Sequence, residues 1–256
     1  MLWCCLSTLS LQAQGPPIMT DKPIMMGAGR SAFMTQVQFR DNRFADFTYI
    51  PVLFFYDFSD QVELKLAPSI VLQDELEGGI GLGDAMAELK YQVYRNDKIG
   101  STFRAATRLR QTFPTGRDFH TFDLGLGAWQ TNLAILGGIE SLKYGLQGEI
   151  GYTFFYADQD IEEFGHELDN MIEYKLGFGL PLLKPTYPVK QINLYFEYEG
   201  MYMPASGEYG LYYSQGVQYA VKNWTFDFAV QAPLSQQMHL TMERRSIVLM
   251  GFRFIM

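Results

Sequence analysis

The chain is poor in the residues that most chemistry needs. Of 256 residues only two are cysteine and three are histidine. Cys4 and Cys5 both fall in the first five positions, so everything after them is without a thiol. Disulfides, cysteine zinc sites and thiol nucleophiles are excluded from that part together. Charge is scarce too: 19% of residues are charged, against about a quarter in ordinary soluble domains. The net charge is −8, and no basic cluster exists to neutralise phosphates, so nucleic acid is not expected as a partner. Long hydrophobic runs are also missing. No stretch reaches the roughly 18 apolar residues that a membrane helix requires. The longest aromatic-aliphatic run, Tyr49 to Tyr56, is too short to cross as a helix.

Aromatic side chains are abundant, with 20 Phe and 16 Tyr, and 48% of residues are hydrophobic. Mean hydropathy is nonetheless close to zero. Apolar surface without apolar segments is what a transmembrane barrel produces, because its strands alternate lipid-facing and lumen-facing residues.

Alternation recurs along the chain. Val62, Leu64 and Leu66 oppose Glu63, Lys65 and Ala67; Leu89, Tyr91 and Val93 oppose Glu88, Lys90 and Gln92. Phe103, Ala105, Thr107 and Leu109 oppose Arg104, Ala106, Arg108 and Arg110. The same pattern marks Glu149–Tyr156, Glu173–Leu180, Ile192–Glu199 and Trp224–Val230. At the C-terminal end, Val248, Met250, Phe252, Phe254 and Met256 oppose Ile247, Leu249, Gly251, Arg253 and Ile255, a terminal strand resembling the assembly signal of outer-membrane barrels. With weaker strands near Ala32–Phe39, Phe47–Tyr56, Phe122–Ile139 and Leu211–Val221, the expectation is all-β: a single antiparallel transmembrane barrel of about twelve strands. Short turns at 57–60, 95–98, 141–144, 184–190 and 222–223 take turns with longer connections at 40–46, 73–83, 114–120, 157–170, 203–210 and 233–245, the rhythm of periplasmic turns and extracellular loops. Aromatics near strand ends (Tyr91, Tyr94, Phe113, Tyr152, Tyr156, Tyr202, Tyr213, Trp224) suit interfacial girdles and argue against a soluble sandwich or lipocalin-like barrel.

Leu2 to Leu11 followed by small Ala13 resembles a secretory signal peptide, although the positive n-region is missing. The expected division is residues 1–13 as signal peptide and 14–256 as barrel. A lipoprotein reading of Cys4 or Cys5 is open, but few residues precede them.

Two stretches carry a more specific likeness. Gly79-Ile80-Gly81-Leu82-Gly83-Asp84 runs into Ala87-Glu88-Leu89-Lys90-Tyr91. Leu109-Arg110-Gln111-Thr112-Phe113-Pro114-Thr115-Gly116-Arg117-Asp118 precedes Thr121-Phe122-Asp123-Leu124-Gly125-Leu126-Gly127. These resemble the transporter-like outer-membrane barrels named for the MetA pathway of phenol degradation, over roughly residues 45–160. The resemblance implies passive passage of small, aromatic or otherwise hydrophobic compounds. The glycines are expected to serve positive φ and close approach where a strand leaves a loop. They are no dinucleotide fingerprint, since no helix follows them.

No enzyme constellation is expected. His120, His166 and His239 fall in separate long loops, and pairing His120 with Ser206 or Ser214 finds no support in spacing. Asp158-Gln159-Asp160-Ile161-Glu162-Glu163 lacks the ligand rhythm of a calcium loop. No cofactor and no metal are expected. The expected partners are outer-membrane lipids, lipopolysaccharide, the barrel-assembly machinery during insertion, and an unidentified small permeant.

The candidate site is a charge ladder. Arg104, Arg108 and Arg110 share one face of one strand, and facing lipid would cost roughly 2–4 kcal/mol each at the bilayer midplane. They are expected to face the lumen with Glu88 and Lys90 of the neighbouring strand, offset by Glu63 and Glu149. Two roles fit such a ladder. One is an electrostatic constriction in a channel; the other is a salt-bridge network that fills a closed structural or partner-binding barrel.

Overall fold

Side chains with beta-branched and aromatic groups at every second position build twelve strands in the computed structural model, which describes residues 17–43, 45–73, 79–116, 128–156, 170–184, 190–239 and 242–256. They are β1 (Ser31–Asn42), β2 (Phe47–Asp57), β3 (Val62–Gln73), β4 (Gly79–Lys98), β5 (Ser101–Phe113), β6 (Trp129–Ser141), β7 (Gly145–Tyr156), β8 (Met171–Pro181), β9 (Lys190–Tyr202), β10 (Tyr209–Val221), β11 (Trp224–Gln237) and β12 (Arg244–Ile255). Each pairs antiparallel with its sequence neighbours, and β1 pairs with β12, so the barrel is closed and no edge is left. The seam runs from Ala32↔Ile255 to Asp41↔Ser246.

The connections differ from the expectation in several places. Residues 95–98 belong to β4, and the turn sits on Ile99-Gly100 instead. The expected loops at 40–46 and 73–83 contract to 43–46 and 74–78, because β1 and β4 continue beyond their apolar stretches. Gly79, Gly81 and Gly83 are therefore extended strand residues, and the described glycines with positive φ are Gly27, Gly29, Gly100 and Gly207. The close approach does exist, one residue pair away. A Cβ on Gly116 would lie 2.5 Å from the carbonyl carbon of Gly83. Here the two likeness-bearing stretches meet: Thr115 Oγ1 accepts from the Ala85 amide and Asp84 Oδ1 from the Gly116 amide, both at 3.0 Å.

Outward positions are apolar: Leu64, Leu66, Leu89, Tyr91, Leu109, Ile135, Ile150, Leu176, Phe226, Phe228 and Met250 all show at least partial exposure. Bulges adjust the phase. One between Gln92 and Tyr94 turns Tyr94 outward beside Phe103, and one in β11, opposite Leu211 and Tyr212, adds the exposed Leu234. The interior is polar, as buried Gln36, Gln38, Gln92, Asn132, Gln147, Asn193, Gln218 and Gln231 show, alongside the charges described below. Buried polar groups need partners, and amides supply many of them: Gln38 donates to Gln36, Asn193 to Gln218, and Gln218 to Asp227. The inside is apolar chiefly at the long-loop end, where Met171, Met201, Met203, Tyr212 and Met242 pack together.

Candidate functional site

Strand register converts the sequence alternation into rows of charge. Glu63 lies opposite Lys90 and Lys65 opposite Glu88 across β3 and β4. Across β4 and β5, Glu88 faces Arg110 and Lys90 faces Arg108. The inward residues pair accordingly: Lys90 with Glu63 at 2.9 Å, Lys65 with Glu88 at 2.6 Å, Arg110 with Glu88 at 2.9 Å and Arg108 with Glu149 at 2.8 Å. Farther round, Lys175 and Arg244 share Glu199, at 3.4 and 2.8 Å. Glu88, Lys90 and Arg108 are buried inside the barrel. Ions in such a place are tolerated when each is paired and hydrogen-bonded.

Arg104 stands apart from this network. Ala106 separates it from Arg108 along the inward row, and it turns toward the short-turn end, bonding Gln92 and Asp97. The five residues of the expected ladder thus divide into a central group of Glu88, Lys90, Arg108 and Arg110, and a separate arginine near the rim.

The alternation pattern does not reveal what lies at the centre. Residues 17–29 enter the lumen as a non-regular segment. They rise from the short-turn end, where the Gly27 amide donates to Asp57 and the Ala28 amide to Asp60, at 2.7 and 3.0 Å. Gly27 and Gly29 hold φ values of +113° and +74° there, which lets the chain bend from the lumen into β1. Higher up, Lys22 reaches Glu140 at 3.7 Å and Pro23 lies against Gly138. At mid-height the segment crosses the barrel. Asp21 contacts Lys90 at 2.8 Å, and Lys65 and Arg108 at 3.6 Å each. The amides of Ile18, Met19 and Thr20 all donate to the carboxylate of Glu197 on β9. Ile18 packs with Tyr195, Ala229 and Leu249. Two wall glycines make room: a Cβ on Gly177 would sit 3.1 Å from Thr20 Oγ1, and one on Gly216 would sit 2.5 Å from Ile18 Cδ1. Residues 18–22 therefore touch wall on β3–β6, β8, β9 and β10–β12, and they span the cross-section.

Chemically the site can hold or repel charged solutes; among the described residues it brings no nucleophile and base together. Ser214 is buried in β10 and accepts from Gln231. His239 lies in the β11–β12 connection. Among the described residues no group of His, Cys, Asp and Glu could hold a metal ion. His120, His166, the acidic stretch 158–163 and residues 1–13 lie outside the described residues.

No family model and no curated protein sequence matches the chain. Solved structures do match. An outer membrane channel from Pseudomonas putida F1 is similar at TM-score 0.63 and 12% identity, covering 93% of this chain and 100% of that one. The NanC porin is similar at TM-score 0.61 and 9% identity, covering 87% and 98%. The KdgM porin, solved in complex with disordered oligogalacturonate, is similar at TM-score 0.54 and 10% identity, with the same coverage. At these identities the likeness shows the fold: a closed twelve-stranded antiparallel barrel of the outer-membrane kind.

Proposed function

We propose that this chain is a passive channel of the bacterial outer membrane for small molecules, and that its segment 17–29 is a resident stopper. One observation carries the reading: a peptide without regular structure crosses a polar lumen and is held there by side chains of the wall. A barrel needing only mechanical closure could fill its interior with wall side chains, as eight-stranded barrels do. This one carries a detachable element instead, seated on glycines and on ionic and amide contacts. Its structural neighbours, an outer membrane channel and the NanC porin, favour the same role.

The outward apolar surface with its aromatic rims fits outer-membrane lipid, with lipopolysaccharide at the long-loop end and insertion by the barrel-assembly machinery. The permeants we favour are small and partly hydrophobic. Support comes from the methionine-rich cluster at the long-loop end, since methionine adapts to varied apolar shapes. The contact between the Gly83-Asp84 and Thr115-Gly116 stretches supports kinship with the barrels named for the MetA pathway of phenol degradation. Within the lumen, Glu88, Lys90, Arg108 and Arg110 form the constriction, completed by Asp21, while Arg104 guards the rim.

The same ties favour a second reading, a permanently closed structural barrel in which segment 17–29 is internal bracing. Planar-bilayer recording separates the two. Deleting residues 17–26 leaves the Gly27 and Ala28 anchors in place and should raise single-channel conductance severalfold over the full chain. A deletion variant that folds, as judged by heat-modifiable migration, yet stays as closed as the full chain would establish the bracing reading instead.

A further inference from the structure

We propose that Lys65, Lys90 and Arg108 form a carboxylate-binding subsite for the permeant, which Asp21 occupies in the closed protein as a tethered ligand. This rests on the channel reading and narrows it to one solute class, small organic acids, aromatic acids among them.

The wall alone leaves the site incomplete. Lys90 and Arg108 are direct cross-strand neighbours, and like charges so placed repel. Each holds a wall carboxylate elsewhere: Lys90 holds Glu63, Arg108 holds Glu149, and Lys65 and Arg110 share Glu88. Four cations are thereby bonded by three wall carboxylates. The next carboxylate round the wall, Glu173, is engaged by Asn132 and Thr153, and Asn132 in turn accepts from Arg108. The fourth carboxylate comes from Asp21, which does not belong to the wall at all. It touches both repelling cations and Lys65. One of its oxygens, Oδ2, accepts no hydrogen bond and stands 3.6 Å from both Lys65 and Arg108. A free carboxylate entering this place could take the bond to Lys90 and, untethered, close on Lys65 and Arg108, which Asp21 approaches only to 3.6 Å.

Passage requires residues 17–29 to leave, and Asp21 leaves with them. The vacated site then favours whatever restores the missing negative charge. An organic acid does so, whereas its neutral amide leaves Lys90 and Arg108 unbalanced. While the segment is seated, its carboxylate competes at an effective concentration of order millimolar, so free acids bind the closed protein weakly.

The probes are benzoate and its uncharged analogue benzamide, titrated by calorimetry into the full chain and its Asp21→Asn variant in detergent micelles. Benzoate should bind the variant at least about tenfold more tightly than the unaltered chain, because the occupied fraction of the site falls. Benzamide should bind neither, and adding Lys90→Gln should abolish the gain. Equal benzoate affinity for the two chains, or equal binding of benzamide, overturns the subsite. Should Asp21→Asn not refold, Asp21→Ser and the chain lacking residues 17–26 give the same comparison. Bilayer recording keeps this inference separate from the channel reading. If the deletion variant conducts but benzoate does not block its current more than benzamide, the subsite falls and the channel stands. If it stays closed while Asp21→Asn still gains benzoate affinity, the channel reading falls and the subsite stands.

Discussion

The segment in the lumen meets two unlike walls. On β3–β5 it is met by ions: one aspartate faces two lysines and an arginine, each already paired with a wall carboxylate. On β9–β12 it is met by a single carboxylate reading three backbone amides, and by the apolar surface of Tyr195, Ala229 and Leu249 around Ile18. The first wall recognises a charge and is indifferent to what bears it. The second recognises a peptide, since only a main chain offers consecutive N–H groups. On the proposed reading, a solute replaces the segment on the first wall but not on the second, so the second wall is where stopper and cargo are told apart.

Breaking the first wall should have the largest effect. Glu88 serves both Lys65 and Arg110 and lies 3.7 Å from Arg108 Nε. Glu88→Leu strands these cations, and a loss of about 3–5 kcal/mol is expected, measurable as a lower urea midpoint for detergent-folded barrel. Breaking the second wall should act on the segment rather than the barrel. Glu197→Gln removes the charge that strengthens three hydrogen bonds, and charge-assisted bonds contribute about 1.5–3 kcal/mol each. The open fraction in bilayer recordings should rise by about tenfold or more with the urea midpoint little changed. Ile18→Ala should move the same readout less, since it removes about 2 kcal/mol of apolar contact. The smallest effect sharpens the comparison from outside both walls. Arg104→Gln, at the rim, should shift stability by less than about 1 kcal/mol and leave the open fraction unchanged. An Arg104 variant that opened the channel as Glu197→Gln does would erase the division between rim and centre.

The barrel was legible in the sequence because its signal is local: side chains alternate with period two, whatever the partner strand. Glu63, Lys65, Glu88, Lys90, Arg108 and Arg110 could be placed on the inner face for that reason. Bulges are not local in this sense. Nothing in Gln92-Val93-Tyr94 announces the extra residue that turns Tyr94 outward. Arg104 and Arg108 have the same parity, and only the partners Asp97 and Glu149 separate them. The segment was illegible for a stronger reason. Ile18 and Glu197 are 179 positions apart, residues 17–29 have no period, and an aspartate between Thr20 and Lys22 looks like any solvated residue. The one trace was Gly27-Ala28-Gly29 ahead of the first strand, which marks a bend but not its direction.

The span of the segment's contacts also orders events during folding. Its seat is assembled from β3 at one extreme and Leu249 of β12 at the other, so the seat is complete only after the last strand has joined. Contacts of such long sequence separation form late, because the loops between them must close first. The docked segment thus reports the end of assembly: a fluorophore at residue 19 should change its signal only after the seam from Ala32 to Asp41 has paired with β12. A barrel caught before that moment would be an open trough, with residues 17–29 outside.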